Sequence, residues 1–144
     1  MIVSNTALVT ANPAEAHNTA DNSGSKEGYF VTLSAVSGVV TSTLVAATST
    51  VPHGVILTGY PTDSYLDEVA LMKFPGIVKV AVKSGETVTA YSFGMVASDG
   101  SVEVDTGASG RIRVCQFLEA SGTSGLSGNV ERLNAVLVDP PVTH

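Results

Sequence analysis

Polar and apolar residues alternate through three runs in the second half of the chain: Ile77 to Val82, Ser101 to Asp105 and Arg111 to Leu118. A period of two is that of strands with one face on a core. Residues Thr87 to Ala97 add one or two further runs of the same kind. Ser84-Gly85, Asp99-Gly100 and Gly107-Ala108-Ser109-Gly110 stand between them. These residue types accept positive φ or close tight turns. The pattern predicts a compact antiparallel β unit from Gly76 to Ala120, with no obvious catalytic group in it.

Upstream, Tyr29 to Leu33 reads as a strand, Val36 to Ala47 is rich in Val, Thr and Ser, and Pro52 and Gly54 flank a turn into another strand ending near Gly59. Tyr60 to Lys73 offers two readings. Leu66, Val69, Ala70 and Lys73 follow helical spacing, with Asp63 or Ser64 as a cap. The alternative is a loop followed by a strand over Glu68 to Phe74. Pro75-Gly76 then breaks the chain, and Ser121 to Asn129 is a Gly/Ser loop. A last strand runs from Val130 to Val138 and is expected to end at Pro140-Pro141, because proline cannot continue a ladder.

The sum is a mainly β chain: a small barrel or sandwich over residues 28–144, at most one short helix, and an extended N-terminal arm over 1–27. In the arm, Asn12 to Lys26 is small and polar, with too little apolar surface to offset the entropy of ordering. Pro13-Ala14-Glu15-Ala16-His17 is the place where a short helix would start. Ile2, Val3, Leu8 and Val9 would be left in water unless a partner covers them, for instance by strand addition to its sheet edge. Together with Pro13, and with Tyr29 and Phe30 at the start of the β domain, they are the candidate partner contacts.

Composition narrows the function. Of 144 residues, 44% are apolar and only 14% are charged, against roughly 25% in ordinary soluble domains. Residues 28–61 contain no Asp, Glu, Lys or Arg. Such a segment is expected in the core or against neighbouring subunits, which points to a homo-oligomer. Thirteen acids against 7 bases give a net charge of −6. That argues against nucleic acid as a partner, since phosphate backbones call for clustered Lys and Arg. No run approaches the ~20 apolar residues of a membrane helix. The N-terminus lacks a basic region followed by an apolar block, so a cytoplasmically made protein is expected.

Candidate chemistry is sparse. Cys115 is the one cysteine. Strand alternation puts it with Arg111, Arg113 and Phe117 on one face, opposite Ile112, Val114, Gln116 and Leu118, and a small buried thiol is expected. His17, His53 and His144 have no Cys or carboxylate at ligand spacing, so no metal is expected. Asp99, Glu103 and Asp105 lack a Ca²⁺ loop pattern and read as a solvated strand face. Leu71-Met72-Lys73-Phe74 followed by Gly76 to Val88 resembles the second half of a biotinyl or lipoyl carrier domain, in which a hairpin Lys receives the cofactor. Here Pro75-Gly76 follows Lys73 almost at once and no matching first half lies upstream. The primary reading is therefore not an enzyme and uses no cofactor.

A second resemblance covers about three quarters of the chain. In order come Glu27-Gly28-Tyr29-Phe30-Val31, Val51 to Leu57, Gly76-Ile77-Val78-Lys79-Val80 with Ser84-Gly85-Glu86-Thr87-Val88, Ser98-Asp99-Gly100, and Phe117-Leu118-Glu119-Ala120 before a Gly-rich loop. This succession resembles the bacteriophage capsid cement, or decoration, proteins. One departure stands out: Tyr91-Ser92 occupies the place where that family carries Gly-Asp, and Gly94 is a candidate to take over the turn. The resemblance implies a β-tulip-like fold and a homo-oligomer, a trimer before a dimer. It also implies a location on the outer surface of the virion head and the major capsid protein as partner. The role would be adhesive, clamping capsomers against the pressure of packaged DNA. Another virion part, such as a head-fibre base or tail-tube component, is the alternative within the same class.

Overall fold

The computed structural model describes residues 14–18, 26–58, 66–73, 76–122 and 130–144. Ten strands carry the described part, and it contains no helix. They are β1 (Ala14–Asn18), β2 (Phe30–Val36), β3 (Val39–Leu44), β4 (Gly54–Thr58), β5 (Leu66–Leu71), β6 (Ile77–Ala81), β7 (Phe93–Val96), β8 (Val102–Val104), β9 (Ile112–Phe117) and β10 (Arg132–Thr143).

Strands β1 to β5 form a small closed barrel in the order β1-β3-β2-β4-β5. Strand β1 closes it, running parallel to β3 and antiparallel to β5. Ala14–Asn18, within the expected arm 1–27, thus contribute a strand to the chain's own barrel, and Ala14 to His17 form part of that strand rather than a helix. The remaining arm residues, 1–13 and 19–25, lie outside the described residues. The Tyr60 to Lys73 ambiguity resolves as the strand β5, starting at Leu66. Val69 and Ala70, which a helix would place on one stripe, pair instead with Ile56 and Val55 of β4.

The other five strands form a sheet in the order β6-β10-β9-β7-β8. It curls until a parallel bridge between Val82 and Val102 links its two edges. Turns foreseen at Gly85, Gly100, Gly107 and Gly110 all place the glycine at positive φ. Between β2 and β3, Ser37 and Gly38 both have positive φ, the backbone of a tight two-residue hairpin. Pro140 and Pro141 do not end β10. They fall where its register on β9 shifts, between Leu137 opposite Cys115 and Val142 opposite Arg113. A bulge asks nothing of the missing N–H groups, so the strand resumes beyond them.

One apolar core joins the two halves. Phe30, Val55, Ala70 and Met72 of the barrel pack with Val80, Val96, Val114 and Phe117 of the sheet. A smaller cluster of Val31, Ile56 and Val69 fills the barrel interior. The halves are also sewn by backbone. The Gly28 N–H donates to Ile56 O of β4 (2.7 Å), and Gly28 O accepts from the Ala81 N–H of β6 (2.9 Å). The Phe30 N–H reaches Gly100 O in the β7–β8 turn (2.7 Å).

Candidate interaction surfaces

Strand β9 shows how local geometry remakes the expected faces. Phe93, Gly94 and Met95 of β7 stand opposite Gln116, Cys115 and Arg113, so Val114 is an extra residue on β9. The bulge reverses the phase of alternation. Ile112, Val114, Cys115 and Phe117 are consequently all buried, rather than divided between two faces. Cys115 is the buried thiol expected, and burial pushes its pKa well up, away from thiolate chemistry. Gly94 lies inside β7 and makes no turn. A Cβ there would stand 2.5 Å from a Val102 methyl and 2.7 Å from the Cys115 sulfur. Tyr91 itself takes the left-handed conformation, at φ 68°, at the place where the resembled family has glycine.

Glu103 and Asp105 are not a solvated face. The Glu103 carboxylate accepts from Lys83 Nζ at 2.8 Å and from Arg111 Nη2. Asp105 Oδ2 accepts from Arg113 Nε at 2.5 Å and lies 2.8 Å from His144 Nε2, while its Oδ1 takes the Gly107 N–H. Burial by itself raises both carboxyl pKa values. Hydrogen bonds from Lys83 and Arg111 outweigh it for Glu103 and lower that pKa. Those from His144, Arg113 and Gly107 hold Asp105 at about 2. Asp99 accepts from the N–H and hydroxyl of Ser101, closing its own turn. Opposite charges thus satisfy Glu103 and Asp105, and Ser101 satisfies Asp99, which suits a structural brace. Among the described residues no group of His, Cys, Asp and Glu is placed to hold a metal. Nor does the carrier-domain reading fit: β5 and β6 belong to different sheets, so Lys73 sits on the connection between them and not in a hairpin.

Among the described residues, two surfaces with exposed apolar side chains stand out. Across the outside of the sheet, Ile77 pairs with Val136, Val136 with Gln116, and Gln116 with Phe93. Ile77 is 49% exposed, and Val136 and Phe93 are 37% and 36% exposed. Tyr91 stands beside the row, its carbonyl taking the Gln116 amide at 3.0 Å. The Arg113 guanidinium covers one face of Phe93 at 4.1 Å. A row four strands wide that exposes three large apolar side chains and one glutamine is the kind of patch that marks contact with another protein. The second surface is the β2–β3 hairpin, where Val39 and Val40 are both exposed, with a groove at its root. Like the exposed Val51, it belongs to the uncharged 28–61 segment but is not absorbed by the core.

Of the expected partner contacts, Tyr29 and Phe30 are misassigned. They are 6% and 0% exposed and belong to the chain's own interior. An aromatic pair at a strand opening signals burial as readily as contact, and here the seam between the two halves consumes it. Ile2, Val3, Leu8, Val9 and Pro13 lie outside the described residues. Sequence reasoning missed the Ile77–Val136–Gln116–Phe93 row, because only strand register brings those residues together. It also missed Asp67, fully buried in the barrel and accepting the Ser42 hydroxyl at 2.9 Å.

No family model matches the chain, and no curated protein matches it. Among solved structures, the chain is similar to the N base of the head fiber protein gp8.5 of bacteriophage phi29. The TM-score is 0.60 at 12% identity, over 91% of this chain and 97% of that one.

Proposed function

We propose that this protein is a structural component of a bacteriophage head, bound as a homo-oligomer to the outer face of the coat lattice. The observation that carries this reading is the shared fold with a head-fiber base domain over nearly the whole of both chains. A β fold by itself says nothing of function. Three features of the chain support the same reading. Glu103 and Asp105 are spent on ion pairs, the cysteine is buried, and the low charge goes with a row of exposed Ile77, Val136 and Phe93 on the sheet. Binding would be adhesive, with the Ile77–Val136–Phe93 row and the Val39–Val40 hairpin tip as contacts. Many copies on one lattice gain avidity from modest individual contacts. A trimer is the expected oligomer, and the major capsid protein the expected partner.

Two roles fit such a module: cementing capsomers, as the sequence resemblance implies, or serving as the base of a projecting fibre. The likeness to a fiber base that extends over 97% of that chain favours attachment. Adding the purified protein to heads assembled without it separates them. Saturable binding to the heads, weakened by Ile77→Lys or Phe93→Lys in a still folded protein, supports the proposal. A raised temperature of DNA release on binding identifies a cement, and an unchanged one a fibre base. Failure of the folded protein to bind any head surface refutes both.

A further inference from the structure

The tip of the β2–β3 hairpin stands clear of the barrel. Strand β4 pairs with β2 only at Phe30 and Val31, and β1 pairs with β3 only at Thr41 and Ser42. Among the described residues, 35–40 therefore pair only with one another, Ala35 opposite Val40 and Val36 opposite Val39. Neighbours in a strand point to opposite faces. Val39 and Val40 are both exposed, so both faces of this ribbon meet water. A two-stranded ribbon alone is marginal in water. Exposed edges are commonly guarded by charge or proline, and residues 35–40 hold neither. The row of Ile77, Val136 and Phe93, with Tyr91 beside it, is the other uncovered surface. It faces away from the core, since Val78 and Val80 on the opposite side of β6 are the buried ones. Tyr91 is pinned there at φ 68° by its N–H to Phe117 O (2.9 Å) and by the Gln116 amide on its carbonyl. Strain held in place by its surroundings gathers at contact sites, and this strained aromatic is 68% exposed. One chain leaves both surfaces open at once, so neither covers the other within it.

We infer that each surface is covered by the other on a second copy of this chain: the hairpin tip of one copy seats on the Ile77–Val136–Phe93 row of the next. The inference rests on the homo-oligomer of the proposed function and gives it an interface. Charge is the first reason. Neither the tip nor Ile77, Tyr91, Phe93, Gln116 and Val136 carries a charge, so their contact strands no ion. Two copies meeting elsewhere would each bring a share of a net charge of −6, which costs at a desolvated contact. Lys79, exposed on the same side of β6 as Ile77, and Arg113 over Phe93 fall at the rim, where polar groups stay wet. Area is the second. Ile77, Tyr91, Phe93 and Val136 together expose roughly 350 Å², and the tip a similar amount. Row on row, or tip on tip, would bury under half of the about 800 Å² per partner of a stable complex. A copy that gives its tip to one neighbour and takes a tip on its row buries about twice as much as either, close to that requirement. Symmetry is the third. A trimer closes by two unlike patches, each copy donating one and receiving on the other, and this chain has one of each kind.

Cysteine crosslinking of the full-length protein tests it, because buried Cys115 does not compete for the reagent. Val39→Cys and Val136→Cys are made as separate chains, alone and co-expressed, and treated with a short bismaleimide. The expected result is a crosslinked pair in the co-expressed sample and none in either variant alone. A pair formed by Val39→Cys alone, tip on tip, overturns the inference. So does a pair formed by Val136→Cys alone, or a co-expressed sample that stays uncrosslinked. Light scattering at micromolar concentration should show an oligomer for the unchanged protein. Val40→Asp and Ile77→Asp should each reduce it to single chains with an unchanged far-UV spectrum, since both side chains are exposed and lie off the core. An unchanged protein that is already a single chain overturns the inference, while binding of that single chain to heads would leave the head-component reading standing. Crosslinking as expected, with no binding to any head, keeps the interface and refutes that reading instead.

Discussion

Replacing Gly28 by alanine should cost more than replacing any glycine in an open turn, because Gly28 is where the barrel and the sheet are joined. Its φ is +85°, a conformation that costs an alanine about 1 kcal/mol. The added Cβ would stand 2.6 Å from Ala81 N and 3.0 Å from Lys79 O. Both are backbone atoms of β6, so no side chain can swing aside. Either β6 or the 26–30 segment must move, at a strain cost of about 1–3 kcal/mol. Movement lengthens the bonds from the Gly28 N–H to Ile56 O and from the Ala81 N–H to Gly28 O, each contributing about 1 kcal/mol. The expected loss is about 3–5 kcal/mol, a large share of the 5–15 kcal/mol typical of a domain. Gly38→Ala is the control. Gly38 also has positive φ, at 80°, but a Cβ there meets nothing within 4 Å, so only the conformational cost of about 1 kcal/mol applies. Urea unfolding of the two variants decides the matter. With a slope of about 2 kcal/mol/M, the Gly28→Ala midpoint should fall about 1.5–2.5 M and the Gly38→Ala midpoint about 0.5 M. Equal shifts would refute the claim that Gly28 holds the two halves together.

Asp105, held at about 2 against an ordinary 3.8, contributes stability that is complete above the ordinary value and lost as pH falls through the folded one. The expected contribution is about 1–2 kcal/mol after allowance for solvent screening. Urea midpoints should therefore drop between about pH 4 and pH 2, and Asp105→Asn should flatten that part of the profile. Gly94→Ala drives a methyl into Val102, Cys115 and Phe117. It should lower stability by about 1–3 kcal/mol, measured by the same unfolding curves, with an unchanged far-UV spectrum. Cys115, fully buried, should react with an aromatic disulfide reagent only at the rate of unfolding, so that added urea accelerates labelling in step with loss of structure.

Much of this protein is determined by sequence pattern alone. A period of two makes strands of Ile77 to Val82 and Arg111 to Leu118, and Gly85, Gly100, Gly107 and Gly110 mark turns because only glycine accepts those angles freely. The single cysteine excludes a disulfide within this sequence before any coordinates exist. These are local facts, set by each residue and its near neighbours. Tertiary structure decided everything that depends on which strand lies beside which. Register gathers Ile77, Val136, Gln116 and Phe93 into one row, though they come from four strands. A one-residue bulge at Val114 turns Cys115 and Phe117 to the same buried side as Ile112, a reversal that alternation cannot foresee. Helical spacing in Leu66 to Lys73 yields to β4 and β1, which flank that segment and take up its backbone bonds. Tyr29 and Phe30 pass from surface candidates to core because Gly28 and Gly100 bring two separate sheets against them. Long-range contact carries free energies larger than local preference, and a linear chain does not display it.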